Sequence, residues 1–304
     1  MKNEEFVYTH LIFNYFLHLP AIFSLTPRAK HEIFRNFVLM LVKTEAIVLH
    51  SFKYGESRLI VEMFTRQEGR LSFAVPIPKT AKGRLKKQYF QPMTLLEVEC
   101  DVRQRNQLQK LKDAHLLAAY TSIPFSPEKL AITLFTAEFL YHALRSEQQD
   151  ELLFAYISNS MQWLDAAPAG YANFHLTFLM HMSRFLGFYP NLDSLTPNPS
   201  PRDNLTPNPS PKREGSNGGE GDVFFDLREA RFCNTAPLHR DFLQPEEAGM
   251  IQLLMRMDFP TMHLFRLSHQ ERNRIVDVLV QYYRLHIPQF PELRSLSVLQ
   301  ELWA

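Results

Sequence analysis

Only two of the 304 residues are cysteine, Cys100 and Cys233, with no CxxC and no paired spacing. Neither a disulfide framework nor a cysteine-rich zinc site can be built from them, and a reducing cytoplasm is the natural compartment. Glycine is scarce too, at 10 residues. None has the spacing of a P-loop or of a dinucleotide-binding turn, and the single glycine of "TAKGRLKK" does not supply one. No histidine pair has metal spacing on a helix. His175 and His181 are six apart and fall on different faces, which suits core or surface histidines. Glu97, Glu99 and Asp101 alternate along one strand face and read as a wet face rather than a two-metal nuclease site. The chain does not read as an enzyme.

Net charge is also nearly missing, at +1. The average hides a dipole: residues 41–116 carry 14 Lys/Arg against 8 Asp/Glu, whereas 117–304 carry 15 against 21. The densest part is "KTAKGRLKK", in which Lys79, Lys82, Arg84, Lys86 and Lys87 occupy five of nine positions. A basic segment ahead of an acidic one points to a polyanionic partner for the first.

What is plentiful is apolar material, 45% of the chain with 12% aromatic, enough for two domains. Residues 6–25 contain no Asp, Glu, Lys or Arg. That length could span a bilayer core, but His10, Asn14, His18 and Pro20 interrupt it, Glu4 and Glu5 precede it, and no clear cleavage site follows. Residues 1–39 are therefore expected to be an extension ahead of the first domain, with Met40 a candidate start. From Leu41, "LVKTEAIVLHSF", "SRLIVEMFT" and "RLSFAVPIP" are strand-like runs separated by two glycine-containing turns, a three-strand meander. "MTLLEVECDVR" and "LQKLKDAHLLAAY" add two more strands; Leu96, Val98, Cys100 and Val102 alternate with polar residues. Five strands over so short a span suit a small closed barrel of the OB type, here placed at 40–120.

After Ile123 the apolar period lengthens to that of helices. Ser126-Pro127 forms an N-cap with proline in the first turn, ahead of "EKLAITLFTAEFLYHALR". "DELLFAYISNSMQWLD" and "YANFHLTFLMHMSRFLGF" follow; the latter is apolar on more than one face and is expected inside a bundle. Ser268 and Glu271 have capping-box spacing ahead of "RNRIVDVLVQYYRLH". The expected fold class is thus α+β, an N-terminal five-stranded OB-fold barrel followed by a mostly α-helical domain at 121–304. A tandem LTPNPSP repeat leads into "KREGSNGGEGD", so about 194–222 is expected to be a disordered, Pro/Asn/Ser/Gly-rich insert.

The lysine-rich run joins strands three and four of the expected barrel. Tyr89 and Phe90 follow it, and Arg103, Arg105, Lys110 and Lys112 lie on or beside the next β-segments. Cations that track phosphates beside rings that stack bases are what sequence-independent binding of single strands requires. The alternative for the two rings is that they plug the barrel end. No base-reading constellation stands out, so sequence specificity is not expected.

The order of "KTEAIVLHSFKYGESRLIVEMFTRQEGRLSFAVP", a basic segment, "QPMTLLEVE", a helical domain reaching "FLGFYPNLD" and a return through "FFDLREARFC" resembles the bacterial DNA repair protein RecO family, of the kind found in Bacteroidetes. The likeness runs over about residues 40–304, the insert excepted; "YGES" and "FDLREARFC" are its most specific parts. It implies a recombination mediator that binds single- and double-stranded DNA, anneals complementary strands coated by single-stranded-DNA-binding protein (SSB), and works with RecR to load RecA. It implies no nucleotide cofactor and a cytoplasmic, nucleoid-associated protein. Many relatives carry a four-cysteine zinc module between the "FYP" helix end and the "FDL" strand; here the insert stands there with only Cys233 nearby, and zinc is not expected. The family also binds the acidic, Phe-terminated SSB tail on its helical domain, for which Arg145 and Arg184 are the candidate rim cations. Two other readings fit the residues: a non-enzymatic RNA-binding OB protein, and a membrane-tethered adaptor using residues 6–25 as its anchor.

Overall fold

The structure, a computed structural model, describes residues 40–76, 85–102, 107–145, 148–192 and 223–302. The extension and the repeat-bearing insert expected from the sequence lie outside these residues. Five strands, β1 (Met40–Tyr54), β2 (Arg58–Thr65), β3 (Gly69–Pro76), β4 (Leu95–Val102) and β5 (Leu108–Ala118), close into a barrel in the order β1-β2-β3-β5-β4. All pairings are antiparallel except the closing seam, where β3 meets β5 in parallel through only Ser72–Leu108 and Phe73–Gln109. This is the OB arrangement, and its shortest ladder leaves an open slit.

β1 serves two partners, β4 with its first half and β2 with its second. Between Val48 and His50 its register with β2 shifts, leaving Leu49 without a partner. Such a bulge puts two successive side chains on one face and reverses the alternation beyond it. Ala46 and Val48 point into the barrel, Ile47 and Leu49 outward. After the bulge, His50, Phe52 and Tyr54 take the outward positions. Gly55 then turns the chain at φ +63°, with no atom near the place a Cβ would occupy, so the requirement is conformational rather than steric.

Leu59, Val61, Met63, Phe73, Val75, Leu96, Val98 and Cys100 fill the barrel. A 3-10 turn, Lys87–Phe90, closes one end by inserting Phe90, and Ser51 donates a hydrogen bond to the Phe90 carbonyl at 2.8 Å.

The helical part contains α1 (Pro127–Ala143), α2 (Glu151–Ala166), α3 (Phe174–Phe185), α4 (Pro245–Met255), α5 (His269–His286) and α6 (Ser295–Gln300). Ser126 caps α1 through the Lys129 amide, Asp150 caps α2 through that of Leu153, and Ser268 with Glu271 forms the full capping box of α5. α3 is buried almost all round, from Phe174 to Met180, and ends at Gly187 with φ +83°. The helical pattern did not anticipate a small antiparallel sheet in the order β7-β6-β8, made of β6 (Phe224–Asp226), β7 (Arg231–Cys233) and β8 (Phe242–Leu243).

Barrel and helices share one core. Ile47, Leu49, Phe64, Met93 and Leu95 pack with Phe135, Phe154 and their neighbours. Arg70, ion-paired to Glu62, also reaches the Tyr141 carbonyl, and its guanidinium sits 4.7 Å from the Tyr141 ring centre. At the linker between β5 and α1, the Asp165 carboxylate gathers the amides of Thr121, Ser122 and Ile123. The helical part is thus fastened to one flank of the barrel.

Candidate nucleic-acid interface

Beyond the β1 bulge, the outward rows of β1, β2 and β3 are set by register: Phe52 beside Ile60 beside Ala74, then Tyr54 beside Arg58 beside Pro76. Phe52 is 43% and Tyr54 63% exposed. The same rows lead into a cleft of about 480 Å³ at the open seam, lined by Arg58, Ala74, Pro76, Asp101 and Lys110 among others. Among the described residues neither Arg58 nor Lys110 forms an ion pair; Asp101, the cross-strand partner of Lys110 in the same cleft, is held by Lys112 at 2.7 Å. Two cations over a slit, without an ion pair among the described residues and next to two exposed rings, form a surface suited to a polyanion with flat bases.

The sequence-expected residues are distributed unevenly over this surface. Lys110 lies in the cleft, and Lys112 is tied to Asp101 beside it. Lys86 and Lys87 are exposed on the connector, the Lys86 ammonium 5.7 Å from the Tyr89 ring centre. Lys79, Lys82, Arg84, Arg103 and Arg105 lie outside the described residues.

Phe90 corrects the expectation of base stacking. It is 1% exposed, packed in the barrel core, and presents no ring face to a base. Tyr89 is half-buried against the same core and lines a second, apolar groove of about 410 Å³ between the barrel and α1, together with Leu116, Leu130 and Leu134. Phe52, Tyr54 and Arg58 were missed. For the two rings the signal was the run "LHSFKY", in which His50, Phe52 and Tyr54 alternate.

Arg145 and Arg184 are not brought together in a groove and line neither cleft. Arg145 reaches His142, and Arg184 lies over the Tyr189 ring at 4.2 Å while donating to its hydroxyl. Both lie at helix C-termini, where a cation is favoured for that reason alone.

Of the acidic run on β4, Glu97 pairs with Lys43 at 2.9 Å and Asp101 with Lys112, while Glu99 forms no ion pair among the described residues. Burial pushes the Cys100 thiol up to about 11, and burial with the nearby Arg272 pushes His175 down to about 3, so both stay neutral at physiological pH. Among the described residues no three His, Cys, Asp or Glu side chains converge as a metal site, and no helix is long and apolar enough to cross a membrane.

The family model described as recombination protein O, N terminal, matches residues 40–120, and its C-terminal counterpart matches residues 124–296. The DNA repair protein RecO of Phocaeicola vulgatus is 44% identical over 265 residues, 87% of this chain and all of that protein. That of Bacteroides fragilis is 45% identical over the same span, and that of Porphyromonas gingivalis 32% identical over 269 residues.

Proposed function

The chain belongs to the recombination protein O family, and from that premise we propose that it is a DNA repair mediator that binds single- and double-stranded DNA without sequence specificity. It anneals complementary strands coated by SSB and, with RecR, assists the loading of RecA. The observation that carries this reading is the pair Arg58 and Lys110 over the seam cleft, neither in an ion pair among the described residues, with Asp101 of the same cleft already engaged by Lys112.

The physical sense is electrostatic. Two strands repel through their phosphates, and a cationic surface within a Debye length of both, about 8–10 Å at moderate salt, lowers that repulsion while releasing condensed counterions. Pairing then proceeds by base complementarity alone. No covalent bond is made or broken, so in this reading the protein is not an enzyme and needs neither nucleotide nor zinc. It acts in the cytoplasm, at the nucleoid.

For the acidic, Phe-terminated SSB tail, the apolar groove lined by Leu116, Leu130 and Leu134, with Lys86 beside Tyr89 at its rim, offers the needed pairing of apolar floor and cation. Arg145 and Arg184 offer it less well.

The test is annealing of complementary oligonucleotides coated with intact SSB or with SSB lacking its tail. Acceleration with intact SSB that weakens without the tail supports the reading. Failure to accelerate annealing with either would contradict it.

A further inference from the structure

Among the outward residues of the barrel, Phe52 and Tyr54 are large aromatic rings two positions apart on one strand face, both far from buried. Neither is consumed by a core. Phe52 has one described ring neighbour, His50, at 5.8 Å between centroids, and Tyr54 has none. Adjacent exposed rings on one strand face form an apolar patch of the kind that marks an interaction site. The covering partner is indicated by charge. Arg58 is the cross-strand partner of Tyr54, and Lys110 faces the same cleft, both without a described acidic partner. Asp101, the acid that lines the cleft opposite Lys110, is held by Lys112. An apolar peptide would cover the rings but leave the cations unmatched; a strand of nucleic acid satisfies both.

We infer that Phe52 and Tyr54 form a two-ring stacking platform for unpaired bases, making this face selective for single-stranded over duplex nucleic acid. The spacing supplies the selectivity. Alternate residues on a strand are about 6.6–6.8 Å apart, roughly twice the 3.4 Å rise per base along one strand of a duplex. Bases stacked on both rings must be pulled apart from one another, which an unpaired strand allows and a duplex does not. Stacking engages the flat faces of the bases and leaves their pairing edges outward. A held strand therefore stays competent to pair, and the duplex that forms no longer fits the platform and is released.

This deepens the proposed function and rests on it. The test compares the full chain with Phe52→Ala/Tyr54→Ala, using three probes of equal length: a single strand with bases, the same backbone with abasic sites throughout, and a duplex. The parent is expected to prefer the strand with bases over the abasic backbone by roughly 5- to 150-fold per stacked base, the equivalent of about 1–3 kcal/mol. The double variant should lose that preference and keep its duplex affinity. Tyr54→Phe, which retains the ring, should behave as the parent. Tyr54→Trp reads the contact without truncating a side chain: its emission should be quenched by the strand with bases and not by the abasic one. Equal binding of the two strands by the parent, or an unquenched Tyr54→Trp, would overturn the platform alone. No binding to any of the three probes would overturn the proposed function and the platform with it.

Discussion

Replacing Asp165 by Ala should loosen the fastening between barrel and helices. Its carboxylate accepts the Thr121 amide at 2.7 Å, the Thr121 hydroxyl at 3.0 Å and the Ser122 and Ile123 amides at 2.8 Å each. Beside it the Lys129 ammonium, 3% exposed as a residue, bonds the carbonyls of Asp165 and Ala167 and the Ser122 hydroxyl. Burial alone would raise the Asp165 carboxyl, but the amides of Thr121, Ile123 and Ser122 outweigh it and hold it at about 2. Taken at face value, a fall from about 3.9 to about 2 is linked to roughly 2.6 kcal/mol. Because the carboxylate is only half-buried, solvent screening reduces that to about 1–1.5 kcal/mol. Imperfect resolvation of the freed linker amides raises the cost of truncation to about 2 kcal/mol. Two kcal/mol in a chain of this size lowers Tm by about 4–8 °C, measurable by circular dichroism at pH 7. The sign with pH follows from the lowered carboxyl: its contribution is fully present above about pH 4 and disappears as pH falls toward 2. A variant whose Tm lies within about 1 °C of the parent at pH 7 would refute this account of the joint.

Phe90→Ala should cost about 3–5 kcal/mol in denaturant unfolding, as a fully buried ring does, whereas Tyr89→Ala should cost clearly less; equal losses would contradict the assignment of Phe90 alone as the barrel plug. Lys110→Ala should make the log–log salt dependence of single-strand binding shallower by about 0.7, while Lys112→Ala, already engaged by Asp101, should change it little; the reverse order would place the phosphate path elsewhere. Ser268→Ala removes the cap at the Glu271 amide and should cost about 1 kcal/mol, read as a Tm shift of about 2–4 °C.

The barrel strands were legible because period-two alternation reports a wall with one wet face: Leu96, Val98 and Cys100 are fully buried, as the alternation required. The caps at Ser126 and Ser268 were legible because they are local chemistry, complete within four residues. Phe90 was ambiguous because an aromatic after a lysine run can stack or plug, and only closure of the barrel around it decides. Phe52 and Tyr54 were hidden by the bulge at Leu49: unbroken alternation from Val48 would send them into the barrel beside Val61 and Val75, whereas the extra residue turns them outward. The short sheet at 224–243 escaped because strands of two or three residues carry too little pattern to stand out among helices.

The role proposed for the seam cleft is to carry the phosphate backbone of a strand being annealed. Its most direct test is equilibrium binding of a fluorescent single strand by the full chain and by Arg58→Ala/Lys110→Ala, over about 50–400 mM salt. The account predicts a log–log slope shallower by about 1.4 in the variant, two contacts' worth, with slower annealing of SSB-coated strands. Parallel slopes and equal annealing rates would contradict it.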